Sequence, residues 1–259
     1  MVKLYLKYLS IQVKSTMEYK KDFIISIISQ ILSSIFAFLT IIFLFDKFGN
    51  IEGYEFKEIL ICFVISYAGF ALAECFFRGF DHFDSFLANG EFDRMLVRPQ
   101  NILLQIIGGK VELSKFGRTG VGFSILVILL ITTPELLGFD KLITILLMLV
   151  GTIIIYACLY VLKAGITFFT TQSLEIMNIF TDGGRDLAQY PLDIYHKVIK
   201  KFFTFVIPLA FVNYYPLLYL IGRSDNKLYI ISPLLTVLFI IPCYIVWKMG
   251  LKKYKSIGS

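Results

Sequence analysis

Leu142-Ile-Thr-Ile-Leu-Leu-Met-Leu-Val-Gly-Thr-Ile-Ile-Ile-Tyr-Ala-Cys-Leu-Tyr-Val-Leu162 decides the fold class of this chain. Between Lys141 and Lys163 there is no Asp, Glu, Lys or Arg. At about 1.5 Å per residue, a helix of this length crosses a hydrocarbon core of about 30 Å. Five further runs are comparable: Phe23–Phe45, Ile59–Phe77, Thr119–Phe139, Phe202–Ile221 and Leu228–Trp247. Only the second and third of the six carry a charge, Glu74 and Glu135, each towards one end. With 57% hydrophobic residues and a mean hydropathy of +0.76, the 259 residues hold too much apolar surface for one soluble core. The apolar residues come in long runs, not in the short alternation of a barrel strand. The expectation is an all-α polytopic membrane protein with six transmembrane helices, a single domain over residues 1–259.

The basic residues give the orientation. Segments 1–22, 78–118, 163–201 and 248–259 hold 20 of the 25 Lys and Arg residues, against five in the three remaining loops. By the positive-inside rule both termini and the loops 78–118 and 163–201 belong in the cytoplasm. The net charge of +6 is then a signal of topology and implies no nucleic-acid partner. The first run is too long for a signal-peptide core and lacks a small-residue cleavage site after it, so it is expected to remain as a span. The outer loops Asp46–Glu58 and Asp140–Lys141 leave no room for a folded substrate-capture domain.

Two segments depart from plain spans. In Met1–Asp22, Lys3, Lys7, Ser10, Lys14 and Lys21 share one narrow helical face and apolar residues cover much of the rest. That pattern predicts an interfacial amphipathic helix on the lipid bilayer. In Phe202–Ile221, Pro208, Asn213 and Pro216 interrupt the run, and proline within a helix removes a backbone bond. A span ending near Pro208, followed by a short re-entrant or interfacial helix near the outer surface, is expected. Tyr214, Tyr215 and Tyr219 suit that interface.

A search for chemistry finds no catalytic, cofactor-binding or metal-binding residues. His82 and His196 stand alone. Gly108-Gly109-Lys110-Val111 lacks the spacing and the hydroxyl of a phosphate-binding loop. Cys62, Cys75, Cys158 and Cys243 read as packing residues within spans. Glu74 is spaced to pair with Arg78. With no charge at the centre of any span, an ion-coupled secondary transporter remains only as the alternative. Gly117, Gly120 and Gly122 suit close helix packing. Ser26, Gln30 and Ser33, with Ser29 and Ser34, give the first run a polar content that fits either a helix interface or a pathway wall.

One charged island stands out between the second and third runs: Leu87-Ala-Asn-Gly-Glu-Phe-Asp-Arg-Met-Leu-Val-Arg-Pro99. It resembles the cytoplasmic-loop signature of the small six-span permeases of bacterial type-2 ATP-binding-cassette (ABC) exporters, which lack an ATPase domain. Three other stretches agree in order. Tyr190-Pro-Leu-Asp-Ile-Tyr195 is similar to the segment before the fifth span. Ile207-Pro-Leu-Ala-Phe-Val-Asn-Tyr-Tyr-Pro216 resembles the broken outer helix. Trp247-Lys-Met-Gly-Leu-Lys-Lys-Tyr254 with Ser256-Ile-Gly-Ser259 resembles the C-terminal signature, where Ile257 replaces an expected Thr.

The resemblance implies a non-catalytic half-transporter. An identical or homologous second permease would complete the pathway over two copies of a separate ABC ATPase. The cargo would be a peptide, antibiotic or other amphiphile. Leu87–Pro99 would be the segment that docks on the ATPase. Its chemistry fits: Asp84, Glu91, Asp93, Arg94 and Arg98 offer both signs of charge, and Asn89 and Gly90 permit a sharp turn. Pro99 disfavours helix at Arg98 and marks the end. The residues 182–201 would make a weaker contact. The first, second and fifth spans are the candidates to line the pathway.

Overall fold

The computed structural model describes residues 2–170 and 174–256; Ile257 and the rest of the final signature lie outside the described residues. The described residues form α1 (Val2–Glu18), α2 (Lys20–Phe48), α3 (Phe56–Asp81), α4 (Phe83–Ala88), α5 (Glu91–Val97), α6 (Ile102–Gly109) and α7 (Phe116–Thr132). There follow α8 (Phe139–Thr167), α9 (Leu174–Asn178), α10 (Gly184–Ala188), α11 (Lys197–Phe205), α12 (Ala210–Leu220), α13 (Leu228–Ile231) and α14 (Ile240–Lys253). A π-helical turn, Ile179–Gly183, joins α9 to α10, and a 3₁₀ segment, Ser232–Phe239, joins α13 to α14. No strand occurs among the described residues. The expected all-α polytopic architecture holds, with five helices long and apolar enough to cross a membrane and a further bent pair.

Local chemistry sets the helix ends. At the start of α3, Glu55 and Glu58 form a reciprocal capping box. The Asn101 side chain accepts from the backbone N–H groups of Leu103 and Leu104 at the start of α6. The third run does not reach Phe139 as a single helix. Pro134 lacks an N–H and cannot extend α7 beyond Thr132, so Pro134–Leu137 is a 3₁₀ turn and α8 starts at Phe139.

α3 is the central post, buried along nearly its whole length between α7 and α8. Small residues let these helices approach: a Cβ on Gly69 would lie 2.7 Å from Thr152 Cβ of α8. α8 and α14 meet as closely at their other contact, where a Cβ on Gly165 would come 3.0 Å from the backbone N of Trp247. Of the three glycines expected to pack, Gly117 faces Ile27 and Gln30 of α2 and Gly122 faces Ala68, while Gly120 faces open space.

The end of the bundle that carries α4, α5 and the C-terminal Tyr254 is called proximal below, and the end that carries Tyr54 distal. The chain's course corrects one expectation. Residues 163–201, expected as a loop, instead thread the bundle alongside α3. Asn178 meets Lys163, which also binds Asp81 at the proximal end of α3. Arg185 lies over the Phe70 ring at 5.1 Å, near the middle of α3. Further on, the Ala188 carbonyl accepts from Ser66 Oγ at 2.7 Å, and Asp193 accepts from the Tyr54 hydroxyl at 2.8 Å at the distal end. Parity demands this crossing, because α8 ends proximally and α13 starts distally.

The fifth apolar run is correspondingly a re-entrant pair and not a span. α11 and α12 are bent by 109° around Val206–Leu209. They leave the distal end after Asp193 and return to it at Arg223, which donates to the Gly53 carbonyl and pairs with Glu58. Nine residues of α11 reach only about 14 Å at 1.5 Å per residue, too short to cross.

α1 forms as a helix and lies across α6. Tyr8 packs on Gly108, and Gln12 Nε2 donates to the Gly109 carbonyl at 2.6 Å. Lys3, Lys7, Ser10 and Lys14 are exposed, as are the flanking Leu6, Ile11 and Val13.

Candidate functional site

The charged island folds as an elbow of two short helices, α4 and α5, at the proximal end. Asn89 closes α4, and Gly90 makes the turn with φ of +66°, a left-handed conformation that glycine adopts without strain. Arg98 is extended ahead of Pro99, which ends α5 at Val97. One face of the elbow is buried through Phe83, Leu87, Phe92 and Met95. Its other face presents Asp84, Arg94, Leu96, Val97, Arg98 and Pro99, with the Val97 side chain 86% exposed. Glu91 is half-buried and, with Arg94, Met95 and Arg98, lines a cavity of about 300 Å³.

Asp93 departs from the expected outward face. Its carboxylate accepts from the Tyr254 hydroxyl at 3.0 Å and from Ser256 Oγ at 2.8 Å, so the C-terminal tail occupies it. Burial, and then the bond to Asp93, raise the Tyr254 phenol above its ordinary pKa of 10.0. The composition of a seven-residue helix does not reveal which side faces the body.

Aromatic rings seat the elbow. Phe92 meets Phe83 at 5.1 Å, Phe168 at 5.5 Å and Tyr254 at 4.9 Å, all edge-on. Trp247 closes the cluster against Phe83 and Phe168. Edge-to-face pairs favour fixed geometry beyond plain area burial, so the elbow is tied to the proximal ends of α3, α8 and α14.

Beside this cluster lies an ionic hub. Glu74, 2% exposed, pairs with Arg78 at 2.9 Å as its spacing predicts. It also pairs with Arg118 at 2.7 Å and Lys115 at 3.2 Å, which arrive from the start of α7 and the turn before it. Asp81 holds Arg78 at 3.1 Å and Lys163 at 2.5 Å.

The crossing α9–α10 segment holds what the sequence reading missed. Met177, Thr181, Gly184 and Ala188 recur at helical spacing and are buried against the bundle. The opposite face carries Glu175, Ile179, Asp182 and Asp186, all exposed. The Asp182 and Asp186 side chains are 51% and 61% exposed at the depth of mid-α3. Charge at the centre of a crossing is therefore present after all. The missed signal was the stripe of Met177 and small residues; the carboxylates between them mask it in any hydropathy average.

This face borders a cavity of about 190 Å³ against α2, lined by Ser33, Thr40, Tyr67, Arg118, Arg185 and Asp186, among others. Of the polar α2 residues, Ser33 faces this cavity, and Gln30 packs beside Gly117 with its carbonyl oxygen buried and unpartnered. Ser26 sits lower, in a separate cavity with Asp22 and Glu112. Pro208 stands in the bend between α11 and α12, and Pro216 is buried within α12. Asn213 donates from Nδ2 to the Ala188 carbonyl, so the re-entrant pair is pinned to the crossing segment.

Five helices long and apolar enough to cross a membrane, a further segment threading the bundle beside α3, and an exposed elbow packed on their proximal ends define a polytopic membrane subunit. The family model described as ABC-2 family transporter protein matches residues 22–258, and the chain belongs to that family. It is a multi-pass permease component of an ABC transporter, in a family whose members are generally non-catalytic and associate with an ABC ATPase. No curated protein and no solved structure matches the chain.

Proposed function

We propose that the chain is one permease half of an ATP-driven exporter of an amphiphilic cargo. It pairs with an identical or homologous permease over two copies of a separate ATPase. The observation that carries this reading is the elbow. α5 offers Arg94, Leu96, Val97 and Arg98 outward while its inner face is locked by aromatic contacts to the ends of two crossing helices, α8 and α14. A partner pressing there would move those helices as a unit. The outward face now lacks Asp93, so the docking chemistry is basic and apolar, with Asp84 and half-buried Glu91 at its border.

Orientation rests on the basic residues, recounted along the observed course. Lys197, Lys200 and Lys201 move to the distal side with α11 and Arg185 lies within the crossing, which leaves 16 Lys and Arg residues at the proximal end and eight at the distal end. The excess supports our reading that both termini and the elbow lie in the cytoplasm and that the spans lie in the cell membrane. The wall of the translocation path is assigned to α2 and the α9–α10 crossing. Asp182 and Asp186 pair with Arg185 at 3.4 and 2.8 Å, yet their side chains stay half-exposed beside mid-α3, where contact with hydrocarbon would cost several kcal/mol; we therefore assign them to face water or a second subunit.

Affinity purification in mild detergent tests the reading. An ATPase is expected in stoichiometric amount, and Arg94→Glu with Arg98→Glu should lower its recovery roughly tenfold through like-charge contacts. Purification of the chain without any ATPase overturns it.

A further inference from the structure

The C-terminal signature belongs, on the proposed reading, neither to docking nor to a path wall, yet its residues Tyr254 and Ser256 meet the elbow directly. We infer that Asp93, Tyr254 and Ser256 form a strut that carries motion of α5 into α14; the inference rests on the reading of α5 as the ATPase contact. α5 is otherwise held by packing and by the Gln105 side chain, whose Nε2 donates to the Met95 carbonyl at 3.0 Å from neighbouring α6. The carboxylate of Asp93 is the one side chain of α5 that hydrogen-bonds to the continuation of a crossing helix, among the bonds of the described residues given above.

Three observations give the strut its stiffness. The Tyr254 and Ser256 hydroxyls donate to different oxygens of the one carboxylate, which fixes its rotation as well as its position. The Tyr254 ring is wedged edge-on between Phe92 of α5 at 4.9 Å and Phe168 at the end of α8 at 5.7 Å. α14 packs directly on α8, because Gly165 and Gly250 bring the two backbones into contact, with the Phe168 side chain against the same glycine: a Cβ on Gly250 would lie 2.7 Å from the Gly165 carbonyl oxygen. Displacement of Asp93 therefore pulls on the α8–α14 pair, whose distal parts lie against the re-entrant helices; Gly151 of α8 faces Val212 of α12 and Pro233. Asp93 is a positioning residue and not part of the surface the ATPase touches.

The test uses the complex as purified with its ATPase. A reporter cysteine, Gln189→Cys, sits in the cavity beside α2, and its reaction rate with a charged thiol reagent is measured with and without ATP. Against the wild-type background, ATP should change that rate. Tyr254→Phe with Ser256→Ala removes both donors to a charged acceptor, each worth roughly tenfold in an equilibrium. ATPase recovery and the rate without ATP should stay within about twofold, while the ATP-dependent change falls at least about tenfold. Joining Asp93→Cys to Ser256→Cys with a short bifunctional thiol cross-linker should restore the response. Full ATP response in the hydroxyl-free variant overturns the strut. So does loss of ATPase recovery in that variant, which would make the tail a docking element. Failure of the wild type to bring down any ATPase instead overturns the docking reading.

Discussion

Neutralising Glu74 should be among the most damaging single changes in this chain. Glu74 is 2% exposed and holds Arg118, Arg78 and Lys115 at 2.7, 2.9 and 3.2 Å. Together with Lys163, Asp81 and Glu112, the hub contains four cations and three carboxylates. Glu74→Gln keeps the shape but raises the local imbalance from one positive charge to two. It also deprives Arg118 of the carboxylate it binds. Removing one partner of a buried pair costs about 3–5 kcal/mol because the other charge stays buried. At roughly 2–4 °C per kcal/mol for a chain of this size, the midpoint of thermal unfolding should fall by roughly 6–20 °C. The assay is thermal unfolding in detergent, followed by size-exclusion chromatography of the soluble fraction. Arg118→Met alone should cost less, since Glu74 keeps two cations. The double variant should recover at least about 1 kcal/mol relative to the sum of the single effects. A Glu74→Gln midpoint within about 2 °C of wild type, or strict additivity in the double variant, would refute the hub as a buried, mutually dependent network.

Four other outcomes follow from contacts, exposure and titration. Gly79→Ala drives a methyl into the Ile106 carbonyl oxygen of α6, and the backbone there cannot yield; it should cost about 1–3 kcal/mol in the same assay. Gly120→Ala, which meets open space, should leave stability unchanged or slightly raised. Cysteines at Asp182 and Asp186 should react with membrane-impermeant thiol reagents, whereas cysteines at the exposed apolar Phe36 and Phe43 should not; equal protection at all four sites would place the crossing against lipid. The Tyr254 pKa is raised above 10.0 by burial and then by Asp93, so its neutral, donating form is favoured in the fold. The stability from that bond is fully present below pH 10 and lost as pH rises through the folded value. A high-pH absorbance titration of wild type against Tyr254→Phe checks it, with a late-titrating phenol missing only from the variant.

The apolar helices were legible because hydropathy over twenty residues is a strong signal, and α2, α3 and α8 fall where Phe23–Phe45, Ile59–Phe77 and Leu142–Leu162 indicate. Hydropathy measures length and apolarity but not direction. Phe202–Ile221 was expected to break near Pro208 and does, but the part before the break is a re-entrant arm and not a span; the segment 174–188 that threads beside α3 escaped notice because Asp182, Arg185 and Asp186 dilute its hydropathy. Within the hub, Glu74–Arg78 was readable at helical spacing, whereas Arg118 comes from 44 residues away and only folding brings it in. The elbow followed the same rule. Gly90 and Pro99 announced its turn and its end, but the inward rotation of Asp93 depends on Tyr254, 161 residues on.

The claim that α5 is the surface through which a separate ATPase acts is tested most directly by a photo-activated cross-linking side chain placed at Val97, 86% exposed at the tip of the elbow. Illumination of intact membranes should join the chain to a protein that carries a nucleotide-binding site, with the adduct lost when Arg94 and Arg98 are reversed to Glu. Adducts to lipid alone, or to no nucleotide-binding protein, would contradict it.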